Sequence, residues 1–529
     1  MYSTLDLQKL VQMLSFLGIS PGSAAPPHSV VLGGGTNAAP GVAGTLLASN
    51  GVAVDPSFKT LAALGIQVAL GYTPAHAGAN SDITSLLGLS TPLSIGQGGT
   101  GANTSAAARA ALGAAASGTN TDITSLASPA LGAATATTAA RGMNSNEVAT
   151  TAFVLRQAPF INILDYGGDP TGVSDNSAAF GAALAACTAN RVCIYFPPGK
   201  YLFSVAIGYT FSSSAATFSI LGAGANVTEI TFPNISSGIT INYDGPFNSV
   251  HIRDLSITTG QVAAGTIAIS LIQLVTPISN PALTALSDIT NVTIRGADGY
   301  AITDYWSFGI AANSVSNINF TNVMIVGSGA QLGQGVFLEA TGANAPPVVF
   351  NFSGCWIGYV QFGVNVADFV QGVTINQCNF FACQNGFIVG GGVTGLDQLT
   401  IANSQFACDV NISMASEFQN CMITGNLFII ITNGFGIFYS AAVLFTIVGN
   451  TFQNGNSGTG ETGIYINNTS GVAGVITGNV FRALADAIKL DTAASGVNVQ
   501  SNFYAGMTSH NVNNLGTGNT LGGVTGATD

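Results

Sequence analysis

The sequence predicts an all-β fold, a right-handed parallel β-helix, capped by a short helix and preceded by an N-terminal helix and an Ala/Gly-rich segment. Three observations predict it. In the last third, short apolar runs closed by Asn and Phe recur about every 22 to 29 residues: Asn379-Phe380, Gln405-Phe406, Asn426-Leu427-Phe428, Asn450-Thr451-Phe452, Asn479-Val480-Phe481 and Asn502-Phe503. A unit of that length cannot bury its apolar face alone, so the coils must stack on one shared core. Only 6% of the 529 residues are charged, while 47% are hydrophobic and 67 are Gly; ordinary domains carry about 25% charged residues. Finally, a single amphipathic helix precedes the strands, as needed to plug the open end of such a stack.

Taken in order, residues 1–20 place Leu5, Leu7, Leu10, Val11, Leu14 and Leu17 at near-helical spacing, ended by Gly18 and Pro21. This short helix has an apolar stripe that needs a partner, either another copy of the chain or a docking protein. Residues 21–158 are dominated by Ala, Gly, Ser and Thr and repeat themselves: "GANSDITSL" at 78–86 returns as "GTNTDITSL" at 118–126. Such segments bury too little apolar surface to pack as monomers and become credible when chains intertwine. The Gly-rich stretch 96–101 leads into an expected helix over Ser105–Leu112, but it lacks the preceding strand and the Lys-Ser/Thr ending of a phosphate loop.

The phrases "ALGYTPAHAG", "GANSDITSL", "LSIGQGGTGANTSAAARAALGAAASG" and "EVATTAFVLRQ", spread over about 60–158, resemble the repeat phrases of bacteriophage tail fibres and tailspikes. That resemblance implies a trimeric shaft and adaptor between a virion attachment point and a distal receptor-binding part. The stretch 162–203, "NILDYGGDPTGVSDNSAAFGAALAACTANRVCIYFPPGKYLF", reads as a strand, an Asp/Gly turn, a helix from about Asn176 to Ala186 with Asp175 as N-cap, and a further strand. The helix is apolar through Phe180, Leu184 and Cys187. This stretch resembles the start of the pectate-lyase-like domain shared by phage tailspikes and polysaccharide lyases and hydrolases. Asp165, Gly167, Asp169, Gly172, Asp175 and Phe196-Pro197-Pro198-Gly199 match positions that the family holds, and they are read as builders of the entrance turn and cap. The β-helix is assigned to 159–510 and a short C-terminal tail to 511–529.

Composition excludes several functions. A net charge of −12, a pI near 4.5 and only 11 Lys and Arg residues argue against a nucleic-acid partner. The chain begins without a basic region ahead of an apolar stretch, so no secretory signal is expected. Phe418 to Gly460 carries no charge, but Gly425, Asn426, Asn433, Gly434, Gly449 and Asn450 interrupt it at turn spacing, which fits buried strands rather than a membrane span. The seven cysteines lack CxxC spacing and read as small core residues, with occasional disulfides as the alternative. No cofactor and no metal is expected, since no cluster of Asp suited to calcium is found.

A β-helix that cleaves glycosidic bonds needs two carboxylates on its flank, one as general acid and one as base or nucleophile. Aligning the apolar strands that follow a Gly or Ala places Asp304, Glu339 and Asp368 near one corner of three successive coils, with Tyr305 and Trp306 beside them for stacking on sugar. The same acids serve equally as solvated residues that keep the rod soluble. His251, Arg253 and Asp254 alternate along one strand, and Arg295 with Asp298 is read as a surface pair. Asn376, Asn379, Asn403, Asn426, Asn450 and Asn479 suggest an internal hydrogen-bonding ladder.

Together these readings describe a homotrimeric phage tail fibre or tailspike, a virion component docked through its N-terminus on a tail or baseplate protein. It would recognise bacterial capsule or lipopolysaccharide without entering a membrane. Two roles stay open within it, a depolymerase and a purely adhesive or structural fibre. A secreted cell-wall or pectin-degrading enzyme is disfavoured by the fibre-like first 158 residues and the missing signal.

Overall fold

The computed structural model describes residues 160–523 apart from short loop segments, and, before them, 30–31, 37–38, 45–48, 57–60, a few positions in 91–100, and 102–112. The helix expected over 1–20 and both copies of the nine-residue repeat lie outside the described residues. The chain divides into two units, 1–134 and 135–529. In the first, Val30–Val31 pairs antiparallel with Asn37–Ala38, and Thr45–Ala48 with Ser57–Thr60. The expected helix Ser105–Leu112 is present, and the Thr104 hydroxyl starts it by accepting the Ala107 N–H at 3.1 Å.

The second unit is a parallel β-solenoid of about twelve coils. Each coil gives one strand to each of three parallel sheets. The first sheet runs from Arg191–Phe196 through Thr217–Gly222, Val348–Ser353 and Leu444–Val448 to Thr520–Gly522. The second includes Gly199–Leu202, Trp356–Gly358 and Asn379–Phe381, and the third Phe308–Asn313, Gln334–Glu339 and Phe362–Val366. Strands His510–Asn514 and Thr520–Gly522 pair in register with the preceding coil, so the stack continues into the stretch expected to be a tail from 511.

Parallel stacking puts equivalent residues of successive coils about 4.8 Å apart, so each interior column must be compatible with itself. In the second sheet Phe380, Phe406, Phe428, Phe452 and Phe481 stack face to face, ending on Tyr504, with centroids 4.6 to 5.6 Å apart. The facing third-sheet position is glycine in Gly363, Gly386, Gly436 and Gly463, where a Cβ would collide with the next coil's carbonyl and with Phe380, Phe406, Phe452 or Phe481. At these four coils the aromatic column and the next coil's carbonyl together leave no room for a Cβ.

The corner between first and second sheets carries the asparagine ladder. Asn426, Asn450 and Asn479 are buried. The backbone N–H of Asn426 donates to Asn450 Oδ1, that of Asn450 to Asn479 Oδ1 and that of Asn479 to Asn502 Oδ1, at 2.8 to 2.9 Å. Each Nδ2 returns to a carbonyl one coil back, Ile401, Ile423 and Ile447 respectively. Ser404 continues the column by accepting the Cys378 N–H. The expectation fails for three asparagines. Asn403 Nδ2 donates to Asn376 Oδ1 on the exposed side of the turn, and Asn379 Oδ1 has no partner. Cys355, Cys378, Cys383, Cys408 and Cys421 are buried, Cys187 and Cys193 are half-buried, and none of the seven is in a disulfide.

The capping helix spans Ser177–Ala186 and buries Ala179, Phe180 and Ala183, while Leu184 and Cys187 are only half-buried. Asp175 accepts the Ser177 and Ser204 hydroxyls at 2.6 Å and their N–H groups at 3.1 and 3.0 Å; burial raises its carboxyl, but these bonds, the hydroxyls first, lower it to about 2. Asp169 accepts the Thr171 and Ser174 N–H groups. Both acids are thus committed to the entrance turn.

Asn450→Ala leaves the Asn426 amide without its acceptor and removes the side-chain donor to the Ile423 carbonyl, which costs about 2–4 kcal/mol. The expected outcome is faster amide exchange in strands 418–424 and 444–448, with Asn403→Ala unchanged beside it.

Candidate functional site

Charge on the described rod concentrates in its first coils. On the first sheet the register spacing between coils is 26 residues from Arg191 to Thr217, then 32, then 37 where His251 meets Asp288, and 31 or 32 on to Phe350. It is 22 to 29 from Phe350 onward. The longer coils carry loops, and the loops and outward columns carry the ionisable groups.

On the outer face of the second sheet Lys200 lies one coil from Glu229, and their side chains pair at 2.9 Å. Arg295 reaches the other oxygen of Glu229 at 2.9 Å, with its guanidinium over the Tyr300 ring at 5.1 Å. Burial raises the Glu229 carboxyl, but Lys200 and Arg295 outweigh it and hold the group below its ordinary range. The Tyr300 hydroxyl donates to Asn226 Oδ1 at 2.9 Å, fixing the ring. Arg295 is therefore no surface partner of Asp298, contrary to the sequence reading. The loop after Gly296 instead leaves Asp298 exposed, with its Oδ2 accepting the N–H groups of Thr303 and Asp304 at 2.8 and 3.1 Å.

Asp304 sits in this loop. Its carboxyl is raised by burial and by the neighbouring Asp298 charge. Two carboxyl groups in unlike surroundings form an arrangement able to divide the acid and base roles of glycosidic cleavage.

Across the corner, on the first sheet, His251 and Arg253 share a face as expected, and both engage Asp288 of the next coil. Arg253 Nε and Nη2 donate to the two Asp288 oxygens at 2.5 and 2.6 Å, and His251 Nδ1 meets Asp288 Oδ2. Burial raises the Asp288 carboxyl, yet the hydrogen bonds and charges of His251 and Arg253 prevail and hold it well below the carboxylate range. Asp254 takes the left-handed corner conformation and accepts from Asn291 Nδ2 at 2.9 Å.

The structure does not gather the three acids aligned from sequence. Asp304 lies ahead of the strand Phe308–Asn313, whereas Glu339 closes the next strand opposite Asn313 and accepts from its Nδ2 at 2.8 Å. Asp368 follows Phe362–Val366 and accepts the Thr394 N–H at 2.8 Å, which holds a loop of the adjoining coil. The alignment took 300–304 for a strand, but Ala301 adopts φ 55° and the Asp298 carboxylate caps the bend. Trp306 is 3% exposed, edge-on to Phe232 in the core, and cannot stack on a ligand; Tyr305 is half-buried. Glu229, Lys200, Asp288 and Tyr300 were missed, because only the coil register brings Lys200, Glu229 and Arg295 together from separations of 29 and 66 residues. Among the described residues no group of three or more His, Cys, Asp or Glu is arranged to hold a metal ion.

Residues 160–409 match the family model described as rhamnogalacturonase A/epimerase, pectate lyase-like, so the rod contains a pectate-lyase-like domain. No curated protein sequence matches the chain. Among solved structures, the A-module of mannuronan C-5 epimerase AlgE6 from Azotobacter vinelandii is similar at 16% identity and a TM-score of 0.38, over 69% of this chain and 99% of that one. Tailspike protein 3 of bacteriophage CBA120 is similar at 16% identity and a TM-score of 0.46, over 70% of this chain and 62% of that one. PfbA, a surface adhesin of Streptococcus pneumoniae, gives 12%, 0.44, 67% and 91%. These likenesses extend no further than the fold.

The two acids have opposite linkage. The lowered Asp288 contributes stability that is present above the ordinary carboxylate value, about 3.9, and lost as pH falls below it. Asp288→Asn is expected to cost about 1–3 kcal/mol at pH 7, a difference that shrinks below about pH 4. The raised Asp304 opposes folding once it ionises, so Asp304→Asn should melt at or above the wild-type temperature at pH 7 and converge with it under acid. Melting curves between pH 3.5 and 8 check both signs.

Proposed function

We propose that this chain is the subunit of a homotrimeric bacteriophage tail fibre or tailspike that attaches the virion to bacterial capsule or lipopolysaccharide. The observation that carries this reading is the joining, in one sequence, of tail-fibre-like phrases over about 60–158 to a pectate-lyase-like rod. The N-terminal segment docks on a tail or baseplate protein, and the rod meets the host. A mostly uncharged flank rich in Asn, Ser and Thr suits a carbohydrate, whose hydroxyl groups exchange hydrogen bonds without needing countercharge. Among the described residues no helix is long and apolar enough to cross a membrane.

A depolymerase role is favoured over pure adhesion by one feature, the Asp298/Asp304 pair beside Arg295, Tyr300 and Tyr305. In this role Asp304, whose carboxyl is raised, protonates the departing glycosidic oxygen, and Asp298 acts as base or nucleophile on the other side of the sugar. Glu229 and Asp288 are committed to cations and serve as supports.

Incubation with capsule and lipopolysaccharide from candidate hosts, read as new reducing ends or unsaturated-sugar absorbance, tests the chemistry. Asp304→Asn is expected to lower release at least a hundredfold with binding retained, and wild-type release should fall as pH rises through the raised Asp304 value. Binding without any release by the wild-type protein makes the fibre an adhesin. A gel run without boiling should show a trimer, and a purely monomeric protein would remove the fibre reading.

A further inference from the structure

We infer that Trp356, Tyr359 and Phe381 form a stacking subsite for an uncharged pyranose ring, on the same rod face as the Asp298/Asp304 loop. This inference rests on the proposal that the second-sheet flank holds a polysaccharide. The three side chains come from adjacent coils, with Trp356 over Asn379 and Gly358 over Phe381 in register. Ring centroids lie 5.7 to 6.5 Å apart, and Phe381 is 41% exposed.

Gly358 makes room for the indole. A Cβ there would come within 2.6 Å of Trp356 Cη2 and 3.0 Å of Cζ3, so the indole lies against the glycine, half-buried, with the Tyr359 and Phe381 rings tilted beside it. The solvent-accessible part of such an aromatic cluster suits the C–H side of a sugar ring. Amide side chains border it: Asn379 and Gln405 follow Trp356 in its outward column, and Gln361 is exposed at the adjoining turn.

The platform continues the proposed site. Ile294, Ile325 and Ile357 are in register, which puts the Arg295 row two coils, or about 10 Å, from the Gly358 row. The intervening loop joins both ends, since the Gly329 N–H donates to Ile302 O and the Gly327 N–H to Gly358 O, each at 3.0 Å. The two outward columns themselves carry no Asp, Glu, Lys or Arg from Met324 to Gln453, so neither column answers a charged sugar.

The full-length protein is screened against a bacterial glycan array, and the best-binding polysaccharide is titrated with tryptophan fluorescence as the readout. The chain has two tryptophans, and Trp306 is buried, so a change in emission or in acrylamide quenching reports Trp356. The expected result is protection of Trp356 by glycan, with affinity about tenfold weaker in Trp356→Ala and in Phe381→Ala, both checked for wild-type melting and assembly. Glycan binding with unprotected Trp356 and wild-type affinity in both variants would overturn the subsite and leave the binding reading standing. Variants that change assembly but not affinity would make the platform a subunit contact and overturn it also. Absence of binding to any glycan overturns the polysaccharide reading and the subsite with it.

Discussion

Every coil of this rod satisfies its backbone through the coils above and below, and that single constraint governs the rest. Parallel pairing at about 4.8 Å brings like positions into line, so a side chain is admissible in a column only if it tolerates a neighbour of its own kind. Phenylalanine does so by stacking, and asparagine by donating from Nδ2 while accepting at Oδ1. A column of carboxylates or ammonium groups would repel itself. The low charged fraction is the compositional trace of this rule.

Charges occur where the columns alternate in sign. Lys200 precedes Glu229 on one strip, Arg295 answers Glu229 from two coils away, and Asp288 is flanked by His251 and Arg253. These groups stand on in-register strands, whereas other ionisable groups sit on the loops of the longer coils, where extra residues leave the repeating path and escape the demand for self-compatibility. The loop 297–306 shows what that freedom permits: Asp298 and Asp304 share one bend, stabilised by backbone donors that a regular strand would have spent on its neighbours.

The same contrast explains how much could be read from sequence. The Phe and Asn ladders recur at nearly constant spacing because they face inward, so the solenoid and its buried Asn426, Asn450 and Asn479 were legible. Asn403 misled because a one-residue offset decides the outcome. Asn426 follows the left-handed Gly425 and points in, whereas Asn403 itself takes the left-handed position at φ 49° and points out. For the site, Asp304 was aligned with Glu339 and Asp368 rather than with Asp298, since the bend at Ala301 imitates a strand in composition. Trp306 was chosen for its place next to Asp304, and the core claimed it. Trp356, set in a regular strand, gave no signal until Gly358 beneath it was seen.

A rod built this way has a cross-section fixed by its interior, because at Gly363, Gly386, Gly436 and Gly463 the Phe column and the next coil's carbonyl exclude any Cβ. Variation is therefore confined to outward columns and corner loops, and along any one face it is sampled coil by coil. Followed along the second sheet, that order is cation and carboxylate at Lys200, Glu229 and Arg295, then the paired acids of the 297–306 loop, then the aromatic platform. A periodic polymer laid parallel to the rod axis would meet these in succession, each at a distance set by an integral number of coils. On the proposed reading, selectivity then depends on whether the polymer's own repeat keeps step with the coil spacing, a property of the backbone stack rather than of any single side chain.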